Sequence, residues 1–161
     1  LWVKSVYGDR AESVWEQLAP KILTVTKGWS ESYGLFTDGE ADMVLSYTTS
    51  PAYHIVAEGD LTKKAAIFPE GHYFMVELAA KIAGTDNPEL ADAFLAFILT
   101  DTFQNLIPTG NWSLPAALPV PEWPEAFQEL PLPEKVLFYS EDEAADLRAE
   151  TIEEWRRALS K

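Results

Sequence analysis

The sequence predicts an α/β layered lobe closed by a helical tail. Three observations carry this. Short β-branched runs alternate with helical patterns through the first two-thirds of the chain, which is the signature of layered α/β architecture. Six of the 11 prolines fall between Pro115 and Pro133, where regular ladders are forbidden and an extended strap is favoured. The last twenty or so residues read as one acidic amphipathic helix. With 161 residues, the chain is long enough to bury a proper core.

The elements follow in order. Leu1 to Tyr7 reads helical and Gly8-Asp9 breaks it. Ala11 to Ala19 is a second helix, with Val14, Trp15 and Leu18 on one face and Pro20 as its stop. Ile22 to Thr26 is β-branched and predicts a strand. Ser30 to Phe36 predicts a helix, with a turn at Asp38-Gly39, and Met43 to Leu45 a buried strand. Ser50-Pro51 is a helix-start pair, a capping hydroxyl before a first-turn proline, and Gly59 ends that helix. Ala65 to Phe68 and Tyr73 to Ala80 predict two more strands. Pro88 to Leu99 is the clearest helix, capped by Asp86 or Asn87, with Leu90, Phe94, Phe97 and Ile98 along one face. Asp101 to Ile107 adds a short helix. In the tail, Ser140 to Ser160, the expected buried stripe is Leu147, Ile152, Trp155 and Leu159. These readings divide the chain into a lobe over 1–114, a proline-rich strap over 115–139 and a packing helix over 140–161.

Charge narrows the partners. Twelve basic and 26 acidic side chains give a net charge of −14, which repels phosphate backbones and anionic lipid surfaces, so nucleic acid is not an expected partner. The absence of cysteine removes disulfides, thiol catalysis and cysteine-held metals. Phosphate-loop, Gly-x-Ser-x-Gly and His-Glu-x-x-His motifs are missing as well. No catalytic residue and no metal ligand is predicted. His54 reads as a helix-surface residue and His72 as a strand-edge one, neither with a carboxylate pair at a telling spacing. The longest apolar run, Ala93 to Leu99, is too short to cross a bilayer as a helix.

The candidate ligand residues are aromatics in polar, turn-rich sequence. Trp29 sits in Lys27-Gly28-Trp29-Ser30, Tyr47 in Ser46-Tyr47-Thr48-Thr49-Ser50-Pro51, and Trp112 ends Pro108-Thr109-Gly110-Asn111-Trp112. In open α/β lobes ligands bind where strands end and helices begin. Ring faces there suit a flat or cationic molecule, since the ring quadrupole attracts positive charge. Thr48, Thr49 and Ser50 supply hydroxyls, and the helix start near Pro51 supplies backbone N–H groups, a combination suited to an anion such as a phosphate. Taken singly, each such tryptophan also fits a lid on the core, and Ser-Pro is common capping chemistry.

On these stretches the chain resembles the periplasmic thiamine-binding proteins, the substrate-binding components of bacterial thiamine ABC transporters. Thr24 to Glu31, Val44 to His54, Glu70 to Tyr73 and Ile107 to Trp112 carry the likeness, with Leu1 to Asp9 and Glu154 to Ala158 also similar. The resemblance implies the C-terminal lobe of a type II periplasmic-binding-protein fold, incomplete at its N-terminal side. It implies a non-catalytic carrier in the periplasm that takes thiamine, thiamine phosphate or thiamine diphosphate as transported ligand and docks a membrane permease, with no cofactor. It implies a ligand site at Trp29, Tyr47, Thr48, Thr49 and Ser50, with Tyr53 and Trp112 in the same aromatic region. Related binding proteins take ferric iron through tyrosines, or polyamines, so those ligands are the alternative. Enzymes of related fold that process thiamine use a nucleophilic cysteine, and none is present. The opening at Leu1, already inside a helical pattern, leads us to expect a truncated chain that lacks the first lobe. Weak binding and self-association through uncovered surface are expected to follow.

Overall fold

A computed structural model describes residues 1–160. In chain order the helices are α1 (Trp2–Tyr7), α2 (Ala11–Leu18), α3 (Trp29–Thr37), α4 (Ser50–Tyr53), α5 (Pro88–Phe97), α6 (Asp101–Gln104), α7 (Ile107–Asn111), α8 (Glu125–Gln128) and α9 (Glu141–Leu159). Two short strands, β1 (His72–Tyr73) and β2 (Val136–Leu137), pair in parallel, with His72 opposite Val136 and Tyr73 opposite Leu137. A π-helical turn, His54–Glu58, continues α4 and ends at Gly59 in the left-handed region. Among the described residues no single helix is long and apolar enough to cross a membrane.

The chain packs as two units. The first comprises Leu1–Ser46, Ile67–Phe74 and the residues from Pro133; the second comprises Tyr47–Ala66 and Met75–Leu132. The proline-rich segment is therefore divided between them at Pro133.

The first unit is built on α2 against α9. Ala11, Trp15 and Ala158 are buried, with Val3 and Trp155 packed on them. Serine at the N-cap fixes the start of α9. The Glu143 N–H donates to Ser140 Oγ, and the Ser140 N–H donates to Glu143 Oε2 at 2.9 Å, a complete capping box. Acidic residues fill the first turn of α9 and arginines the last, as the helix dipole favours. The buried stripe of α9 runs through Thr151, Glu154 and Ala158, with Leu147 and Trp155 half-buried; Ile152, expected inside, is exposed. Charge pairing explains the rotation. Glu154 turns inward to accept from Lys4 Nζ at 2.7 and 3.0 Å, and both side chains are almost fully buried. That bond raises the Lys4 ammonium above its ordinary range, against desolvation. Leu18, expected on the buried face of α2, is exposed because Ala11 and Trp15 make the contact one turn apart.

At β1, Gly71 is required rather than tolerated. Its φ is +103°, and a Cβ there would stand 2.7 Å from the Lys135 carbonyl oxygen. The Trp2 indole N–H donates to the Gly71 carbonyl at 2.7 Å, which ties α1 to this strand.

The second unit has its core where the sequence predicts a surface strap. Leu118, Trp123, Phe127 and Leu130 are buried with Ala52, and Trp112, Leu114 and Ala126 pack against them. The prolines break the segment into turns, and the turns are closed by side chains. The Trp123 indole donates to the Leu118 carbonyl at 2.8 Å, and Gln128 Nε2 donates to the Trp123 carbonyl at 2.6 Å. Buried Gln104 donates to the Ile98 carbonyl and accepts from the Ala117 N–H.

Several predicted strands do not form. Ile22 to Thr26, Met43 to Leu45, Ala65 to Phe68 and most of Tyr73 to Ala80 lack ladder partners among the described residues, and only His72–Tyr73 pairs. A strand is defined by a neighbour that takes its N–H and C=O groups, so β-branched composition alone cannot make one. Most of their apolar side chains stay exposed, Leu45 at 92% and Leu78 at 88%. Likewise α5 stops at Phe97 and buries no residue; of the expected inner face Leu90, Phe94 and Phe97 are exposed and Ile98 is half-buried. The short helix expected over Asp101 to Ile107 is split into α6 and α7.

Candidate functional site

In the second unit, the residues after Ser46 form a tight turn into α4. The Ser50 N–H donates to the Tyr47 carbonyl at 3.1 Å, and the Tyr47 N–H donates to Ser50 Oγ at 3.3 Å. The Ala52 N–H donates to the Thr49 carbonyl at 3.0 Å, and Pro51 has no N–H to give. The backbone donors that the sequence suggests for an anion are thus largely consumed by the turn itself. What remains for a ligand here is side-chain chemistry: an exposed Tyr47 ring and the hydroxyls of half-buried Thr48 and Ser50, with Thr49 buried beneath them.

Tyr53 and Trp112 come together in the same unit. Their rings meet edge to face, centroids 5.0 Å apart and planes at 90°. Trp112 is stacked on Phe127, 6.5 Å between centroids and 13° between planes, and Phe127 is only 1% exposed. Trp112 is also the one non-glycine residue with positive φ among those described, at 52°. A bulky side chain in the left-handed region is strained, and such strain persists only where surrounding packing over-determines it. Here that packing comes from Tyr53, perpendicular to the indole, and from Phe127, nearly parallel to it. Edge-to-face and stacked pairs of this kind add about 0.5–1.5 kcal/mol each beyond area burial.

Trp29 belongs to the first unit. It opens α3, is 50% exposed, and donates its indole N–H to Ser46 Oγ at 3.1 Å. Tyr33, one turn on, lies under it with centroids 4.7 Å apart and a 31° tilt. The approach to α3 is fixed by Thr26, whose hydroxyl bonds to Ser32 Oγ and to the Gly28 carbonyl, and by Glu31, which accepts from the Lys27 N–H.

Tyr33 was within reach of sequence reasoning, since it follows Trp29 at helical i, i+4 spacing. Phe127 was not, because its segment reads as strap. His54 is placed differently from expectation. It is buried, 1% exposed, with Nδ1 2.6 Å from Glu58 Oε2 and its ring against Tyr53. The π-helical turn draws it inward. His72 is half-buried in β1 and accepts the Phe68 N–H at Nε2, which places its proton on Nδ1. A separate cavity of about 380 Å³, lined by Leu1, Ala144, Ala145, Arg148, Thr151 and Ile152, contains none of the predicted ligand residues.

The second unit thus carries the Tyr53–Trp112 ring pair and the hydroxyls of Thr48 and Ser50, and the first unit carries Trp29 over Tyr33. Residues 2–105 match the bacterial extracellular solute-binding proteins, and the chain belongs to that family. Over its full length the chain is 52% identical to the thiamine-binding periplasmic protein of Escherichia coli, covering 49% of that protein. It is likewise 52% identical to the thiamine-binding periplasmic protein of Brucella abortus, covering 48% of it. A solved periplasmic thiamin binding protein superposes with a TM-score of 0.92 at 52% identity, covering all of this chain and 50% of the other. The chain spans about half the length of the curated relatives it matches, corresponding to their C-terminal half. Its fold is that of part of a solute-binding protein, as the sequence leads one to expect.

Proposed function

We propose that this chain supplies ligand contacts for thiamine and its phosphate esters, as part of a periplasmic substrate-binding component that delivers the vitamin to a membrane permease. The observation that carries this reading is the Tyr53–Trp112 ring pair, braced on buried Phe127 in a chain 52% identical to thiamine-binding relatives. Thiamine combines a flat aminopyrimidine with a permanently cationic thiazolium. Ring faces recognise both, at about 0.5–2 kcal/mol per cation–π contact depending on desolvation. The hydroxyls of Thr48 and Ser50, in the same unit as the pair, suit the polar end of the ligand, and Trp29 over Tyr33 gives the first unit an exposed ring of its own. The role is carriage without bond chemistry, since rings and hydroxyls bind but provide no activated nucleophile.

Thiamine titration followed by tryptophan fluorescence tests this. Saturable quenching is expected, lost in Trp112→Ala and reduced in Trp29→Ala; an unchanged spectrum at millimolar thiamine contradicts it. Ferric salt and spermidine as competitors separate the alternative ligands. An equal response to either in place of thiamine transfers the assignment to it. We also propose that the isolated chain self-associates through exposed apolar residues such as Leu78, Ile82 and Leu90 of the second unit. Sedimentation at a single monomer mass across concentrations contradicts that.

A further inference from the structure

We propose that His54, Glu58 and Asp60 form a site for a divalent transition-metal ion of the zinc class. One donor atom from each lies within 4.8 Å of the others. Donors bonded to one ion at about 2.0–2.2 Å stand no more than about 4.4 Å apart, so small rotations of the carboxylates complete the set.

The backbone explains why residues so close in sequence converge. The turn His54–Glu58 is π-helical, a rare geometry that concentrates at functional positions. Gly59 follows with φ 67°, which reverses the chain. The N–H groups of Gly59 and Asp60 both donate to the His54 carbonyl, the latter at 3.0 Å, and this folds Asp60 back beside the imidazole. The donors also differ in setting. The imidazole is 1% exposed and orientated by the Tyr53 ring, 5.2 Å away, whereas the Glu58 side chain is 45% exposed and Asp60 is half-buried. An ion therefore has a buried nitrogen anchor and carboxylates at the water boundary.

A supporting contact holds Asp60 ready. Thr62 donates to Asp60 Oδ1 twice, from its N–H at 2.7 Å and its hydroxyl at 2.6 Å, which fixes the carboxylate as outer partners fix metal ligands elsewhere. Imidazole with two carboxylates suits zinc, cobalt or nickel, because magnesium and calcium prefer all-oxygen shells. The ion would take the place of the hydrogen bond between His54 Nδ1 and Glu58.

The untagged chain, stripped with chelator, is titrated with Co²⁺ by visible absorption and with Zn²⁺ by calorimetry. Saturable binding of about one ion is expected, with tetrahedral or five-coordinate cobalt bands. Glu58→Gln and Asp60→Asn, both at solvent-accessible positions, are each expected to weaken it about tenfold or more, and His72→Gln to leave it unchanged. Absence of saturable binding overturns the site, as does binding that survives the Glu58→Gln/Asp60→Asn double variant or depends on His72. None of these results depends on whether thiamine binds.

Discussion

Trp29 and Trp112 begin alike, as tryptophans in polar, turn-rich sequence, and the fold supports them in opposite ways. Trp29 lies half exposed on the first turn of a helix that buries no residue, steadied by Tyr33 and Ser46. Trp112 is held in a strained left-handed conformation between Tyr53 and the buried Phe127. The difference teaches that a ligand ring is supported by whatever packs behind it, and that this backing comes from elsewhere in the chain. A ring braced on a core is pre-organised and gives up little freedom on binding. A ring half exposed on a helix surface has less packing behind it and gives up more freedom when the ligand arrives.

Removing the brace is the strongest way to break the comparison. Phe127→Ala is expected to cost about 3–5 kcal/mol in urea unfolding of the second unit and to shift Trp112 emission to the red, because a large buried ring is lost from the core. A cost below about 1 kcal/mol would mean that Phe127 does not carry Trp112. Next in size is Lys4→Ala. It leaves the Glu154 carboxylate buried without its partner, at about 3 kcal/mol, and locates the anchor of the first unit at α1 and α9 rather than at the helix of Trp29. Recovery of much of that loss in Lys4→Met/Glu154→Leu would show that the cost lies in the unpaired charge.

Ser140→Ala is expected to cost about 1 kcal/mol by thermal unfolding, through loss of the α9 cap. The bond from Ser140 holds the Glu143 carboxyl below its ordinary 4.5. A lowered carboxyl contributes stability above its unfolded value and loses it as pH falls through the folded one. The gap between wild type and Ser140→Ala should therefore be constant near neutrality and narrow on acidification below 4.5, to the part held by the Glu143 N–H bond to Ser140 Oγ. A gap that widens on acidification contradicts the cap. Smallest in stability is Trp29→Ala, within about 0.5 kcal/mol, since an exposed ring contributes little to folding. Its effect should appear in the ligand response instead.

The helices were legible because capping and period act locally. Ser140, Pro88 and Gly59 mark ends that the structure places within a few residues. The strands were not, because Ile22 to Thr26 and Met43 to Leu45 have strand composition without a neighbour to bond, and pairing is not local. The core of the second unit was misread for a related reason. Proline at Pro119, Pro121 and Pro124 signals irregular backbone, and irregular backbone can still bury Trp123 and Phe127 when side chains close its turns. The ring residues of the candidate site were visible as types, whereas the 5.0 Å approach of Tyr53 and Trp112 and the backing by Phe127 needed the fold. His54 shows the same limit, since its burial follows from a π-helical turn that no spacing rule announces.

The six tryptophans allow a direct test of the ligand assignment, since each gives one indole N–H signal in a ¹⁵N–¹H spectrum. On addition of thiamine, the signal of Trp112 should move along a saturable curve, while those of Trp15 and Trp123, buried in the two cores, stay in place. Movement of the core indoles alone, or of none, would contradict a vitamin site built on these rings.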